Sequence, residues 1–461
     1  MTLRETHVVI LAAGRGTRMK SERPKVLHEV HGRAMLSRVL DTAKTLAPSS
    51  MVVVLGYKAD FVRSAYAGDP AVRFVVQEPQ LGTGHALMQA LPALSGGTGD
   101  LLLLYGDVPL LRPETLTALL ARHREDAAAA TGLTALVPQP FGYGRIVREG
   151  GSIAGIVEER DASAAQRSIN EINAGIYALA LEPLADAVAA LSPANAQGEY
   201  YLTDLVGIYR RRGLGVSTLT IASADELIGV NSRRELAEVS RIVRTAKLEE
   251  LMAAGVTVID PATTYVDSEV SVGPDTVLHP NVYLEGRTRV GAACDIQAGT
   301  RLVNATVGDR VTIRNYCVIT DSVIASDAVL GPFAHLRPGS DVGAEAHIGN
   351  FVELKKTRVG ARSKASHLTY LGDATVGENV NIGAGTITCN YDGVKKHPTV
   401  IGDGAFIGSD SQLIAPVTIG PGAYVAAGSS ITRDVPAEAL AIARGKQENK
   451  EGWVKKKKGQ S

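Results

Sequence analysis

The chain has 461 residues, 48 basic against 48 acidic side chains, 45% hydrophobic residues and only 5% aromatic ones. Such a length suits two or three modules, and the balanced charge gives no reason to expect a nucleic-acid or membrane partner. Three scattered cysteines, Cys294, Cys317 and Cys389, have no CxxC spacing, which argues against a disulfide framework or zinc site and for a reducing cytoplasm. No run reaches ~18 apolar residues and no cleavage-site pattern follows the first apolar stretch, so a soluble protein is expected.

His7 to Ala12 reads as a buried strand emptying into the loop Gly14-Arg15-Gly16-Thr17-Arg18-Met19. A glycine loop lets backbone N–H groups approach phosphates, and Arg18 and Lys25 stand close enough in sequence to neutralise them. Met19 occupies the place of the third glycine of a dinucleotide fingerprint, so the loop alone decides nothing. Met51 to Gly56, Arg73 to Gln77 and Leu101 to Tyr105 read as further buried parallel strands separated by helix-length stretches, a doubly wound α/β pattern. The last of these ends at Gly106-Asp107, which puts a carboxylate at the carboxyl edge of the sheet, where such folds bind ligands and where Asp can hold Mg²⁺ against phosphates.

Asn231 to Met252 is rich in helix formers and lacks Gly and Pro, so it reads as one linker helix that Gly255 ends. Beyond it an aliphatic slot recurs every six residues: Val266, Val272, Leu278, Leu284, Val290, Ile296 and Leu302, then Val318, Ile324, Leu330, Leu336, Val342, Ile348 and Leu354, then Ile401, Ile407, Leu413, Ile419, Val425 and Ile431. Five-residue steps through Val307, Ile313, Val359, Leu371, Val376 and Ile382 join the runs, with Ala365 and Thr388 off-type. Neither helix nor simple strand alternation has this period; three short parallel strands per coil around a triangular core do. Glycines after many slots, such as Gly273, Gly343 and Gly408, read as corner residues needing positive φ or close backbone approach. The expected division is 1–230, a linker helix 231–252, a β-helix 253–440 and a tail 441–461, whose Lys455 to Lys458 run reads as a solvated terminus.

Register within the solenoid aligns further residues. Slots 18 apart stack, so Arg337 and Lys355, successors of Leu336 and Leu354, lie side by side at ~4.8 Å coil spacing and call for an anion between them. Ile382, Ile407 and Val425 form another column if Cys389 to Thr399 loops out, which sets the small residues Ala384, Ser409 and Ala427 along one edge with room for an extended ligand.

LAAGRGTRM (Leu11 to Met19), Pro24-Lys25, QLGTGHA (Gln80 to Ala86) and YGDVPL (Tyr105 to Leu110) resemble the sugar-1-phosphate nucleotidyltransferases. The hexads resemble the left-handed β-helix acyltransferases, from which the handedness is inferred. Together, and with GYGRI (Gly142 to Ile146), EINAGIY (Glu171 to Tyr177), NAQGEYYLTD (Asn195 to Asp204), GVN (Gly229 to Asn231), LRPG (Leu336 to Gly339), HIGNFVELKKT (His347 to Thr357) and NIGAGTITCNYDG (Asn381 to Gly393), they closely resemble the bifunctional N-acetylglucosamine-1-phosphate uridyltransferase/glucosamine-1-phosphate acetyltransferase family.

That resemblance implies a UTP and UDP-sugar site of Leu11, Ala12, Gly14, Gly16, Arg18, Lys25, Gln77, Gly82, Thr83, Tyr105, Gly106 and Asp107, with Gly144, Glu158 and Asn173 on the sugar and Asp107 and Asn231 on Mg²⁺. In the β-helix it implies His367 as general base, Arg337 and Lys355 on the phosphate, and Tyr370, Asn381 and Tyr391 on glucosamine. Ala384, Asn390, Tyr391, Ser409, Ala427 and Arg444 would meet acetyl-CoA. A homotrimer with sites between subunits is likewise implied. Glu22-Arg23 beside the phosphate loop are a departure. Two other readings compete: a nucleotidyltransferase for another sugar whose solenoid serves only assembly or regulation, and a noncatalytic assembly protein. The Arg337, Lys355, His367 and Asn381 set speaks against the first, and intact LAAGRGTRM, Lys25 and Asp107 against the second.

Overall fold

A computed structural model describes residues 4–94 and 98–459, which form two compact units, Met1–Val243 and Arg244–Ser461. In the first unit the strands run, in spatial order, Val216–Ile221, Ala130–Leu136, Glu171–Ala180, Asp100–Tyr105, Thr6–Ala12, Ser50–Leu55 and Val72–Val76. Neighbours pair in parallel except around Glu171–Ala180, which runs antiparallel to both strands beside it. Alternation along the first strand divides the core: Val8 and Ile10 pack with Leu36, Leu40 and Leu116, whereas Val9 and Leu11 pack with Leu87, Leu184 and Leu205 on the opposite face.

Of the four strands predicted around the glycine loop, the third corrects an expectation and the fourth confirms one. Asp100–Tyr105 is central and its leucines are fully buried, but Val72–Val76 lies at the sheet edge, so Arg73 is exposed and Phe74 and Val75 are half-buried. Apolar content alone did not separate an edge strand from a central one. The helix predicted from Asn231 runs from Arg233 to Ala253, with Asn231 and Ser232 ahead of its first turn.

In the second unit three parallel sheets of eleven, ten and nine strands stack every third strand upon the next, making a parallel β-helix. All the predicted slot residues are buried except Val318, which is 39% exposed while Ile319 beside it is fully buried. The five-residue step therefore falls between Ile319 and Ile324, one position later than a count of aliphatic residues places it, because two aliphatic residues stand side by side there and either could be counted.

A second core column accompanies the first. Two residues before each aliphatic slot sits a second buried residue, small at Thr264, Thr276, Cys294, Cys317, Ala328, Ala346, Ser363 and Ser411 and valine at Val270, Val282, Val311, Val352, Val380 and Val417. Thr276 Oγ1 donates to Gly291 O at 2.8 Å and Thr357 Oγ1 to Leu371 O at 2.8 Å, so the coil's own carbonyls satisfy these hydroxyls. Cys294 and Cys317 are thus small core fillers.

Corner glycines turn out to serve close approach rather than positive φ. A Cβ on Gly343 would stand 2.6 Å from Ala361 N, and one on Gly408 2.4 Å from Ala427 N. After Gly273, Gly343 and Gly349 positive φ falls two residues later, on Asp275, Glu345 and Phe351. The sequence excursion is a hairpin between strands Ile387–Cys389 and Thr399–Ile401, closed by an antiparallel bridge of Tyr391 with Lys396. Leu440–Ala441 forms a last rung on Tyr424–Val425, and the lysine run is exposed on a short helix, Trp453–Lys458.

Candidate active sites

At the carboxyl edge of the first unit's sheet lies a cleft of about 720 Å³. Of the residues expected there, Leu11, Ala12, Gly14, Arg18, Lys25, Gln77, Gly82, Thr83, Tyr105, Asp107, Gly144, Glu158, Asn173 and Asn231 line it. Gly16 and Gly106 do not, and both have packing roles. Gly16, at φ +60°, leaves room for the Lys25 stem, since a Cβ would sit 2.8 Å from Lys25 Cβ. Gly106 lies against Ala12, Leu36 and Val26, each 3.3 Å from where a Cβ would be.

Lys25 reaches across the cleft floor to an ion pair with Asp107 and a 3.0 Å hydrogen bond to Asn231 Oδ1. Two oxygens from distant parts of the chain therefore converge on one cation-sized place. Asn231 is held there by Glu235, whose Oε2 accepts from the Asn231 and Ser232 N–H groups at 2.6 and 2.7 Å at the head of the linker helix. One carboxylate and one amide suit a Mg²⁺ ion that takes its remaining ligands from phosphates and water. Among the described residues no group of three or more His, Cys, Asp or Glu side chains converges, so no all-protein metal cage competes.

Gln77 is buried and donates through Nε2 to Gly82 O at 2.8 Å. Its carbonyl end is thereby left to read a ligand donor. At the other end of the cleft Glu158 is largely buried, which pushes its carboxyl upward; the Thr203 hydroxyl, donating at 3.1 Å, opposes this. Burial also raises Tyr105 and Tyr177, so both phenols stay protonated and act as donors. Thr203 and Glu235 were missed at the level of sequence, although Ser232 and Glu235 have the spacing of a capping box.

On the β-helix, Leu336 pairs with Leu354, as the register requires. Arg337 and Lys355 project from those rungs, each against a carboxylate: Arg337 on Glu353 at 3.0 Å and Lys355 on Asp373 at 3.9 Å. A third cation joins them. The excursion hairpin brings Lys396 against Lys355, whose hydrogen-bonding contact and like charge push the Lys396 ammonium downward. No periodicity argument could find Lys396, because it lies in the segment that leaves the repeat.

His367 is exposed, and its Nδ1 lies 2.6 Å from Asn350 Oδ1. An amide oxygen only accepts, so Nδ1 carries the hydrogen and Nε2 presents its lone pair outward in the neutral ring. Asn350 was also missed, yet its rung pairs directly with His367 and lies 17 residues earlier in the same column. Gly372 makes room for Tyr370, since a Cβ there would stand 2.3 Å from the phenol oxygen. Asn390 is buried and bonded to Asp373 at 2.5 Å, whereas Tyr391 is 60% exposed on the hairpin.

Register places Asn381 on Phe406, so Ala384 stacks on Ser409, and Gly428 N donates to Ser409 O at 2.8 Å. Arg444 lies at the end of this ledge, its Cδ 3.9 Å from where a Gly428 Cβ would be.

Comparison with known proteins follows the same division. The MobA-like NTP transferase domain matches residues 8–170, the GMPPB C-terminal domain residues 261–367, and the bacterial transferase hexapeptide residues 398–433. The Bifunctional protein GlmU of Pelobacter propionicus is 49% identical, covering 96% of this chain and 97% of its own length. The chain belongs to the bifunctional GlmU family. GlmU proteins of Trichlorobacter lovleyi (50% identity, 98% of each chain) and Koribacter versatilis (49% identity, 100% of this chain and 98% of the relative) span it equally fully. As a GlmU-family member it is an enzyme with two transferase activities in UDP-N-acetylglucosamine synthesis, acetylating glucosamine 1-phosphate and transferring UMP to N-acetylglucosamine 1-phosphate. Its solenoid is the left-handed hexapeptide β-helix of that family.

Proposed function

We propose that each activity has its own site, uridylyl transfer in the 720 Å³ cleft and acetyl transfer on the β-helix ledge around His367. In the cleft, Gly14, Arg18 and Lys25 hold the UTP phosphates, Gln77, Gly82 and Thr83 the base and ribose, and Gly144, Glu158 and Asn173 the sugar. Asp107 and Asn231 would hold Mg²⁺, which neutralises phosphate charge when bound. The sugar phosphate oxygen attacks the α-phosphorus in line and pyrophosphate leaves. No covalent nucleophile is needed, since Arg18 and Lys25 orient the phosphates and offset their charge. The observation that carries this reading is the convergence of Lys25, Asp107 and Asn231 at the sheet edge.

On the ledge, Arg337, Lys355 and Lys396 bind the phosphate of glucosamine 1-phosphate, with Tyr370, Asn381 and Tyr391 around its sugar. Ala384, Asn390, Ser409, Ala427 and Arg444 meet acetyl-CoA. The substrate amine attacks the thioester carbonyl, His367 Nε2 takes the amine proton, and the coenzyme leaves as its thiol once protonated. Asn350 keeps that nitrogen free to act.

A homotrimer built through the β-helix completes the reading. Its support is an exposed corner ladder in which Tyr316, Phe333 and Phe351 are 57%, 46% and 54% exposed and stack at 5.4 and 5.2 Å. No helix among the described residues is long and apolar enough to cross a membrane; a cytoplasmic location belongs to this reading because its product serves cell-wall precursor synthesis. Incubation with glucosamine 1-phosphate, acetyl-CoA, UTP and Mg²⁺, following thiol and pyrophosphate release separately, tests the whole scheme. Thiol release without pyrophosphate in this complete mixture would overturn the cleft assignment.

A further inference from the structure

Asn173 stands on the sugar side of the cleft in the reading above, on which this inference rests, and its neighbours fix which end of its amide meets the sugar. Strand Glu171–Ala180 loses register with Ala130–Leu136 between Asn173 and Tyr177. Within that break Gly175 takes φ +75° and lies so close to the Tyr105 ring that a Cβ would stand 2.8 Å from Cε2. The irregularity leaves Asn173, Ala174, Gly175 and Tyr177 all on the cleft wall.

The Tyr177 hydroxyl, in a side chain only 3% exposed, donates to Asn173 Oδ1 at 2.8 Å. Gly175 N–H donates to the same oxygen at 3.2 Å. A backbone N–H can only donate, so the reversed amide would set donor against donor. Two donors fill the two lone pairs of the oxygen, and only Nδ2 remains for a ligand. Burial keeps the Tyr177 phenol protonated, so it always has an O–H to donate, and the Gly175 N–H fixes which amide end receives it.

We propose that Tyr177 is a positioning residue that locks the Asn173 amide with Nδ2 toward the cleft, so that this subsite reads an acceptor oxygen of the N-acetylglucosamine 1-phosphate. The hydroxyl, the Gly175 N–H and the amide oxygen form one unit whose output is a donor at a fixed place. Loss of the phenol oxygen leaves the ring packing intact and frees the amide to turn.

Uridylyl-transfer kinetics of Tyr177→Phe, Asn173→Ala and the double variant test this. Tyr177→Phe should raise the sugar phosphate KM roughly fivefold to tenfold, the scale of one hydrogen bond, with the UTP KM within about twofold of the starting protein. In the Asn173→Ala background the same substitution should add nothing. Multiplying effects, or an equal rise in the UTP KM, would mean that Tyr177 only supports the fold and would overturn the inference. Asn173→Asp, which replaces the donor with an oxygen, should be as damaging as Asn173→Ala; a normal sugar KM for it would overturn the inference even if Tyr177→Phe did not fold. If Asn173→Ala itself left the sugar KM unchanged, the assignment of the sugar to this end of the cleft would fall instead.

Discussion

The two candidate sites differ in how much of each one chain assembles. In the sheet unit a single chain folds around its ligand space, and the charged groups of the floor are bonded to one another. On the β-helix the reacting groups stand on an open ledge, with His367 and Tyr391 exposed to solvent. Enclosure comes free with a twisted sheet, whose strand ends and crossover loops make a crevice. A rod of constant cross-section has no crevice, so its site needs an excursion hairpin and, on the trimer reading, a second copy.

The sharpest test of that division is reciprocal loss. Asp107→Ala should abolish uridylyl transfer and leave acetyl transfer intact, whereas His367→Ala should lower acetyl transfer by roughly 10²- to 10⁴-fold and leave uridylyl transfer intact. Loss of both activities in either variant would break the assignment of separate sites. Next in size is a stability contrast within the rod. Ile319→Ala should cost about 2–5 kcal/mol of unfolding free energy in chemical denaturation, while Val318→Ala, one residue away and facing solvent, should change it little.

Lys396→Ala should raise the glucosamine 1-phosphate KM about tenfold without altering that of acetyl-CoA; equal rises in both would show the hairpin acting on the whole ledge. The smallest effect is a pH dependence shared by the two units. Burial, its first cause at each site, lowers His28 and His123 in the sheet unit and His347 in the β-helix. Unfolded chains bind these protons near pH 6.5, and the folded protein binds them only at lower pH, so stability should fall as pH drops below about 6.5. A melting temperature that rises from pH 7 to 5.5 would contradict this.

Much of the architecture was legible because it is periodic. Six-residue spacing fixed the rungs well enough to pair Leu336 with Leu354 and Ile382 with Ile407 across the excursion. It failed at Val318, where two adjacent aliphatic residues compete for one slot, and it overlooked the second column because a mixture of Ser, Thr, Ala, Cys and Val shows no uniform hydrophobic period. Family motifs pointed to Lys25, Asp107 and His367, whose surroundings then gave them physical sense. Asn350, Lys396 and Thr203 escaped because each matters through a partner distant in sequence, visible only when the chain is folded, whereas Glu235 lies in a local capping-box spacing that was there to be read.

The excursion hairpin carries a lesson about how this protein can change length. Twelve residues lie between Thr388 and Ile401, yet the coils on either side resume the same columns, with Val376 on Ile401 and Ile382 on Ile407. Additions are therefore absorbed at a corner, where chain can leave and return between rungs, while a single residue added inside a rung would turn every later side chain on that face outward until another corner restored the count. Whole coils behave as interchangeable units of length, and corners as the places where new chemistry can be spliced into a rod without rewriting its core.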